Sequence, residues 1–156
     1  MSDAFFRAGI GAMVLDDSGQ VLVMRRKDAR DGAWQLPQGG IQNEEEPLAA
    51  LYRELREETG LGRSDIEVVA CSSEWLAYEL PVEYRNAKVG KGQVQRWFLC
   101  RLRTPPEAVR PDGIEFNAAE WVAPAELIAR AAPFRLPVYR RLVAEFAAHF
   151  GGGRSQ

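Results

Sequence analysis

Histidine is nearly absent from this chain: His149 is the only one in 156 residues. That excludes a Ser-His-Asp triad, a Cys-His pair of the usual kind and an imidazole-rich zinc site. Any acid–base or metal chemistry therefore falls to carboxylates, and His149, close to the chain end, reads as a surface or helix-end residue. Cysteine is scarce as well. Cys71 and Cys100 lie far apart, without metal-ligand spacing and each in an apolar, strand-like run, so both are expected to be buried free thiols in a reducing cytoplasm. No apolar run reaches the roughly 18 residues needed to cross a bilayer, and the opening "MSDAFF" lacks the basic-then-apolar pattern of a secretory signal. The expectation is a cytoplasmic protein with no membrane partner. Excess charge is missing too: the formal net charge is −2, so no global field draws the molecule onto nucleic acid. A nucleic-acid substrate would be held locally, at an end, with no bulk binding.

What is present suits a globular domain, with 46% hydrophobic and 27% charged residues. The length fits one domain over residues 1–150, with "GGGRSQ" (151–156) expected to be a disordered tail. "AGIGAMVL" and "QVLVMRR", separated by the turn signal "DDSG", read as a hairpin over residues 8–26. "KDARDGA" is a polar loop and "WQLP" a short extended piece. "QGG" is expected to bend the chain before a helix that opens at Pro47 and stops at Gly60. "IEVVACSS", "EWLAYEL" and "QVQRWFLCRL" read as strands, with the basic, glycine-containing loop "PVEYRNAKVGKG" before the last. "IEFNAAEWV" is a further strand region, and "PAELIARA" and "PVYRRLVAEFAAHF" are helical, the latter with Val138, Leu142, Val143 and Phe146 on one face. Strands, a central helix, more strands and closing helices indicate a mixed α/β or α+β sandwich.

The helix from Pro47 to Thr59 carries the chemistry. At about 100° per residue, Leu48, Leu51, Tyr52 and Leu55 share one arc, expected to be buried. Glu54, Glu57 and Glu58 share a neighbouring arc at i, i+3 and i+4, and Arg53 is placed to pair with Glu57. Such a face is either a solvated acidic surface or a site for a cation. Most Glu-rich helices are the former; clustering without interleaved lysine adds weight to the latter, for which oxygen-only ligation selects a hard ion, Mg²⁺ or Mn²⁺. The absence of a D-x-D-x-D-G string argues against a calcium loop. A turn at Gly39 and Gly40 would let backbone approach the helix start and offer carbonyls to a metal or amides to phosphate.

Gly39, Glu45, Arg53, Glu54, Leu55, Glu57, Glu58, Gly60 and Leu61 together spell G-x5-E-x7-R-E-U-x-E-E-x-G-U, where U is bulky and apolar. The segment resembles the Nudix box at every fixed position. The resemblance implies a Nudix-type α/β/α sandwich, with a mixed sheet between helices, that hydrolyses a nucleoside diphosphate linked to another group. It implies Mg²⁺ or Mn²⁺ as cofactor, with Glu54, Glu57, Glu58 and a carbonyl at Gly39 as ligands. Arg53 would orient the glutamates, Glu45 would brace the loop, and Gly60 would close the helix. Glu54 and Glu115 are both candidates for the general base, with Glu115 slightly favoured because it reaches the metals from outside the box.

The wider wording, "WQLPQGGI", "WLAYELP", "GQVQRWFL", "EFNAAEWV" and "FRLPVYRRLVAEF", resembles the bacterial RNA pyrophosphohydrolase and plant-type diadenosine tetraphosphate hydrolase group over residues 7–146. Dinucleoside polyphosphates and 5′-triphosphorylated RNA ends are then the expected substrates, for a monomer or homodimer. Arg7, Arg26, Lys88, Lys91 and Arg135 are candidate phosphate contacts. Tyr78 suits a phosphate contact, and Phe134 suits base stacking or core packing. Where that group opens with a "YRPNVG"-like string, this chain has "FFRAGIG", which keeps only the arginine. Its loop before Trp34 is about two residues longer, and residues 104–113 are short. A dNTP or nucleotide-sugar hydrolase, and a non-catalytic nucleotide-binding regulator, are the rival readings.

Overall fold

A computed structural model describes residues 4–28 and 32–151. Along the chain come β1 (Phe6–Leu15), β2 (Val21–Arg26), β3 (Trp34–Gln35), β4 (Gln38–Gly40) and α1 (Pro47–Thr59). They are followed by β5 (Ile66–Cys71), β6 (Leu76–Glu79), β7 (Gly92–Leu102), β8 (Phe116–Val122), α2 (Pro124–Arg130) and α3 (Leu136–Glu145). Except for Gly151, the segment expected to be a disordered tail lies outside the described residues, as do three residues of the polar loop before Trp34.

The eight strands form one sheet with the path β3-β2-β1-β7-β5, to which β4 adds on β1, β6 on β7 and β8 on β2. The β1–β7 pairing is parallel, from Phe6↔Gly92 to Leu15↔Arg101, and the other pairings are antiparallel. Side chains alternate faces along a strand, and this sheet is covered on both. Ile10, Ala12, Val14, Leu22, Met24, Phe98 and Cys100 meet Ala50, Leu51 and Leu55 of α1. Met13, Leu15, Val21, Val23, Trp97 and Leu99 meet Leu127 of α2, Val138, Tyr139 and Leu142 of α3, and Phe146 just past its end. The result is the α/β/α sandwich with a mixed sheet that the sequence implies.

Four local expectations need correction. First, β1 and β2 are joined by a tight turn in which Asp16 Oδ1 accepts the amides of Ser18 and Gln20, both at 2.9 Å. They pair only at Leu15↔Val21, however, and then diverge to other partners, so the expected hairpin is confined to its turn. Second, "QGG" is a strand and not a bend: Gln38, Gly39 and Gly40 pair with Gly11, Ile10 and Gly9. Third, Leu48 is 41% exposed. A helical wheel gives direction around the axis but not how far the cover extends along it: Ala50 and Leu51 are sealed while Leu48, nearer the helix start, is left open. Fourth, Cys100 is buried but Cys71 is exposed. β5 ends the sheet path, and its pairing shifts register between Val68 and Ala70. That leaves the last residue of the edge strand open to solvent, with its Sγ 3.3 Å from Arg96 Nη2.

Candidate active site

The C-terminal half of α1 brings its acidic residues against the sheet. Glu58 lies on the same stripe as Leu51 and Leu55, at i+7 and i+3, and the packing that buries the leucines leaves Glu58 only 2% exposed. Gly60, with φ +78°, ends the helix as expected, and its amide donates to the Arg56 carbonyl at 3.0 Å. A left-handed φ of this kind suits glycine because it lacks Cβ.

Arg53 is the hub of the cluster. Its Nε and Nη2 donate to the two carboxylate oxygens of Glu45 (2.8 and 2.9 Å), Nη1 donates to Glu54 (2.8 Å), and Nη2 also donates to the Gly40 carbonyl (2.8 Å). The Glu45 pair is a two-pronged fork, the geometry that makes arginine more than a point charge. With the Gln42 amide also donating to Glu45 at 2.9 Å, the Glu45 carboxyl is held down at about 2, by the Arg53 hydrogen bond first. Glu57 reaches Arg53 only at 3.6 Å, and its side chain is 60% exposed.

Glu54 and Glu58, one turn apart on the inward side of α1, lie close enough for each to shift the other's titration. Burial pushes Glu54 above its ordinary value, against the pull of Glu58 and Arg53. Glu58 is pushed well up, by burial first and then by the neighbouring Glu54, with Glu115 adding to the field. The Gln38 amide donates to Glu58 Oε1 at 3.2 Å and pulls the other way. The Glu54 carboxylate packs so tightly on β4 that a Cβ at Gly39 would fall inside it. Glycine at this position is therefore required by close approach, not by a turn. The Gly40 carbonyl is engaged by Arg53.

Two oxygen donors forced together in a poorly solvated place suit a hard divalent cation, which relieves both the repulsion and the desolvation. Among the described residues, no three carboxylates already converge on one point, because Glu57 turns towards Arg53. The oxygen donors present fit such an ion.

From Glu58 a polar network runs across the sheet. Gln38 Nε2 donates to the Tyr78 hydroxyl at 3.2 Å, and Gln95 Nε2 donates to Gln38 Oε1 at 3.1 Å. Gln95 is fully buried, and its Oε1 has no hydrogen-bond partner among the described residues. The segment leading to Gln38 is fixed from the other layer, where the Leu36 amide donates to the Tyr139 hydroxyl at 3.0 Å. The sequence reading missed Gln38, Gln93 and Gln95. A signal was there, since Gln93 and Gln95 alternate in register with Trp97 and Leu99 and so place amides on a core-facing side of β7.

The expected substrate contacts fall into separate groups. Tyr78, Phe134 and Arg135 come together: the two rings are 5.7 Å apart, and the Arg135 guanidinium lies 4.7 Å from the Phe134 ring centre and 5.8 Å from that of Tyr78. Phe134 is half-buried against the α2–α3 core as well. The Arg7 guanidinium lies against Gly40, in the space a Cβ would take. Arg26 bonds Asp28 at 3.0 Å, reaches Glu115 at 3.7 Å and lies 5.8 Å from the Phe116 ring centre. Glu115 itself is half exposed. Asp112, also unforeseen, shapes its turn by accepting the amides of Ile114, Glu115 and Phe116 at 2.9–3.0 Å. Lys91 stands apart, 5.3 Å from the Phe6 ring centre, and Lys88 is exposed in a turn closed by Asn86.

Comparison with known proteins agrees with this geometry. The NUDIX domain model matches residues 5–142. RNA pyrophosphohydrolase of Pseudomonas putida is 43% identical over 148 residues, covering 91% of this chain and 92% of that protein. The enzyme of the same name from Pseudomonas fluorescens is 42% identical over the same shares. Among solved structures, an Ap4A hydrolase binary complex of C. elegans superposes with a TM-score of 0.71 at 19% identity, covering 91% of this chain and 98% of that one. The E. coli dihydroneopterin triphosphate pyrophosphohydrolase gives 0.74 at 18% identity over 90% and 98%. These structural likenesses concern the fold. Nudix hydrolases generally use divalent metals, as the paired glutamates also suggest. The chain therefore belongs to the Nudix family, among its pyrophosphohydrolases.

Proposed function

We propose that this chain uses Mg²⁺ or Mn²⁺ to hydrolyse a phosphoanhydride bond in 5′-triphosphorylated RNA ends and dinucleoside polyphosphates, in the cytoplasm. The observation that carries the reading is the close approach of Glu54 to the buried Glu58, whose mutual repulsion and desolvation a bound cation would relieve. The identity to RNA pyrophosphohydrolases over nearly the whole chain supports RNA ends as substrate.

Glu54, Glu57, Glu58 and a carbonyl at Gly39 would hold the metal. When bound, it neutralises phosphate oxygens and lowers the pKa of attacking water. Arg53 aims Glu54 and opposes the burial that raises its pKa, while Glu45 and the Gly40 carbonyl fix Arg53. Glu115 is the general base: its carboxylate is half exposed, only loosely paired to Arg26, and near enough to raise the Glu58 pKa. Arg7, Arg26 and Arg135 bind phosphate, and Tyr78 and Phe134 line the path to the nucleoside.

The test is turnover of 5′-triphosphorylated RNA, diadenosine tetraphosphate and a panel of nucleotide sugars with Mg²⁺ or Mn²⁺. Turnover restricted to the sugars would sink the substrate assignment. Because Glu57 is exposed, Glu57→Gln leaves the fold intact, so its melting temperature should match wild type while kcat falls by about two orders of magnitude or more. Undiminished turnover in that variant would place the metal elsewhere.

A further inference from the structure

The loop between β6 and β7 carries an aromatic side chain that none of the roles above uses. Tyr84 ends a short 3-10 turn, Val82–Tyr84, and its ring centre lies 6.1 Å from that of Phe134 at a tilt of 58°. It is the outermost ring of a continuous series. Glu58 is bonded to the Gln38 amide, Gln38 to the Tyr78 hydroxyl, Tyr78 touches Phe134, and Phe134 touches Tyr84.

The inner rings are already occupied. Tyr78 is buried, and the Arg135 guanidinium sits over Phe134. Tyr84 keeps 37% of its surface exposed, and Val82 beside it keeps 75%. The mount is firm. The Tyr84 amide donates to the Pro81 carbonyl (2.9 Å), and the Arg85 amide donates to the Val82 carbonyl (3.1 Å). Arg85 Nε reaches back to the Leu80 carbonyl (2.8 Å), with Nη2 on Glu79 at 3.3 Å. A rigidly held, half-open ring at the far end of a path that starts at anionic chemistry is suited to stack a planar group without choosing its hydrogen-bonding edge.

Resting on the reading above, we infer that Tyr84, backed by Phe134, offers its open face as an outer stacking platform for a nucleobase and contributes to substrate affinity but not to bond cleavage. Tyr84→Ala, Tyr84→Phe and wild type should be compared on 5′-triphosphorylated RNA and on diadenosine tetraphosphate, with inorganic tripolyphosphate as a base-free competitive inhibitor. Loss of one stacked base corresponds to a rise in KM of about tenfold. Tyr84→Ala should show that rise on at least one of the two substrates, with kcat and tripolyphosphate inhibition unchanged, and Tyr84→Phe should behave as wild type. The substrate whose KM moves is the one whose base stacks on Tyr84. Unchanged KM on both substrates overturns the inference, as does an equal weakening of tripolyphosphate inhibition, which would mark a disturbance of the phosphate site. Wild-type protein that hydrolyses neither substrate would instead remove the functional reading itself, and this inference with it.

Discussion

Arg53 shows how one residue converts a repulsive helix face into an ordered site. Its guanidinium holds Glu45, Glu54 and the Gly40 carbonyl together, so the loop before α1 and the helix itself share a single charged fastening. This has a pH signature at Glu45. The folded carboxyl titrates at about 2, against an ordinary 4.5, so ionised Glu45 stabilises the protein fully above about 4.5. That stabilisation is lost as the pH falls from 4.5 towards 2. The melting temperature of wild type should therefore exceed that of Glu45→Gln by a constant margin near neutrality and by a shrinking one below pH 4.5. A margin unchanged on acidification would mean the fork is not formed in solution. A pairing of Arg53 with Glu45 is in keeping with what the box resemblance implies for these two residues. The burial of Glu58 was not legible in the sequence, because periodicity places it beside the leucines without saying how far the sheet reaches.

At the scale of elements, α1 was read to its exact limits because its signals are local: Pro47 at the start, Gly60 at the stop and an apolar stripe between them. Those same local features predict the cost of changing them. Gly60→Ala puts a Cβ on a residue at φ +78° and should lower unfolding free energy by about 1 kcal/mol. Urea unfolding would show this as a lower midpoint with an unchanged slope, and no loss would mean that the cap relaxes. β4 was misread because three residues are too few to display a period of two. Its strand character comes from pairing with β1 and from the Glu54 carboxylate that excludes any side chain at Gly39. Tyr84 escaped notice for a related reason, since its neighbour Phe134 lies fifty residues away in the chain.

The whole molecule decides which side chains are sealed. Both cysteines sit in similar apolar runs, yet Cys100 is central in the sheet, its thiol pushed up to about 12 by burial, and Cys71 is exposed at an edge. A thiol reagent should therefore modify Cys71 alone in the native protein and both residues after denaturation; rapid native labelling of Cys100 would contradict the sheet order. Sequence alone determined the helix, its two ends and the spacing of its glutamates, because all of these rest on neighbours a few residues apart. Tertiary structure decided the strand partners, the close approach of Glu54 and Glu58, the Gln38–Gln95–Tyr78 network and the exposure of Cys71. Each of those depends on which distant segments the chain brings together, and on how much water that packing leaves behind.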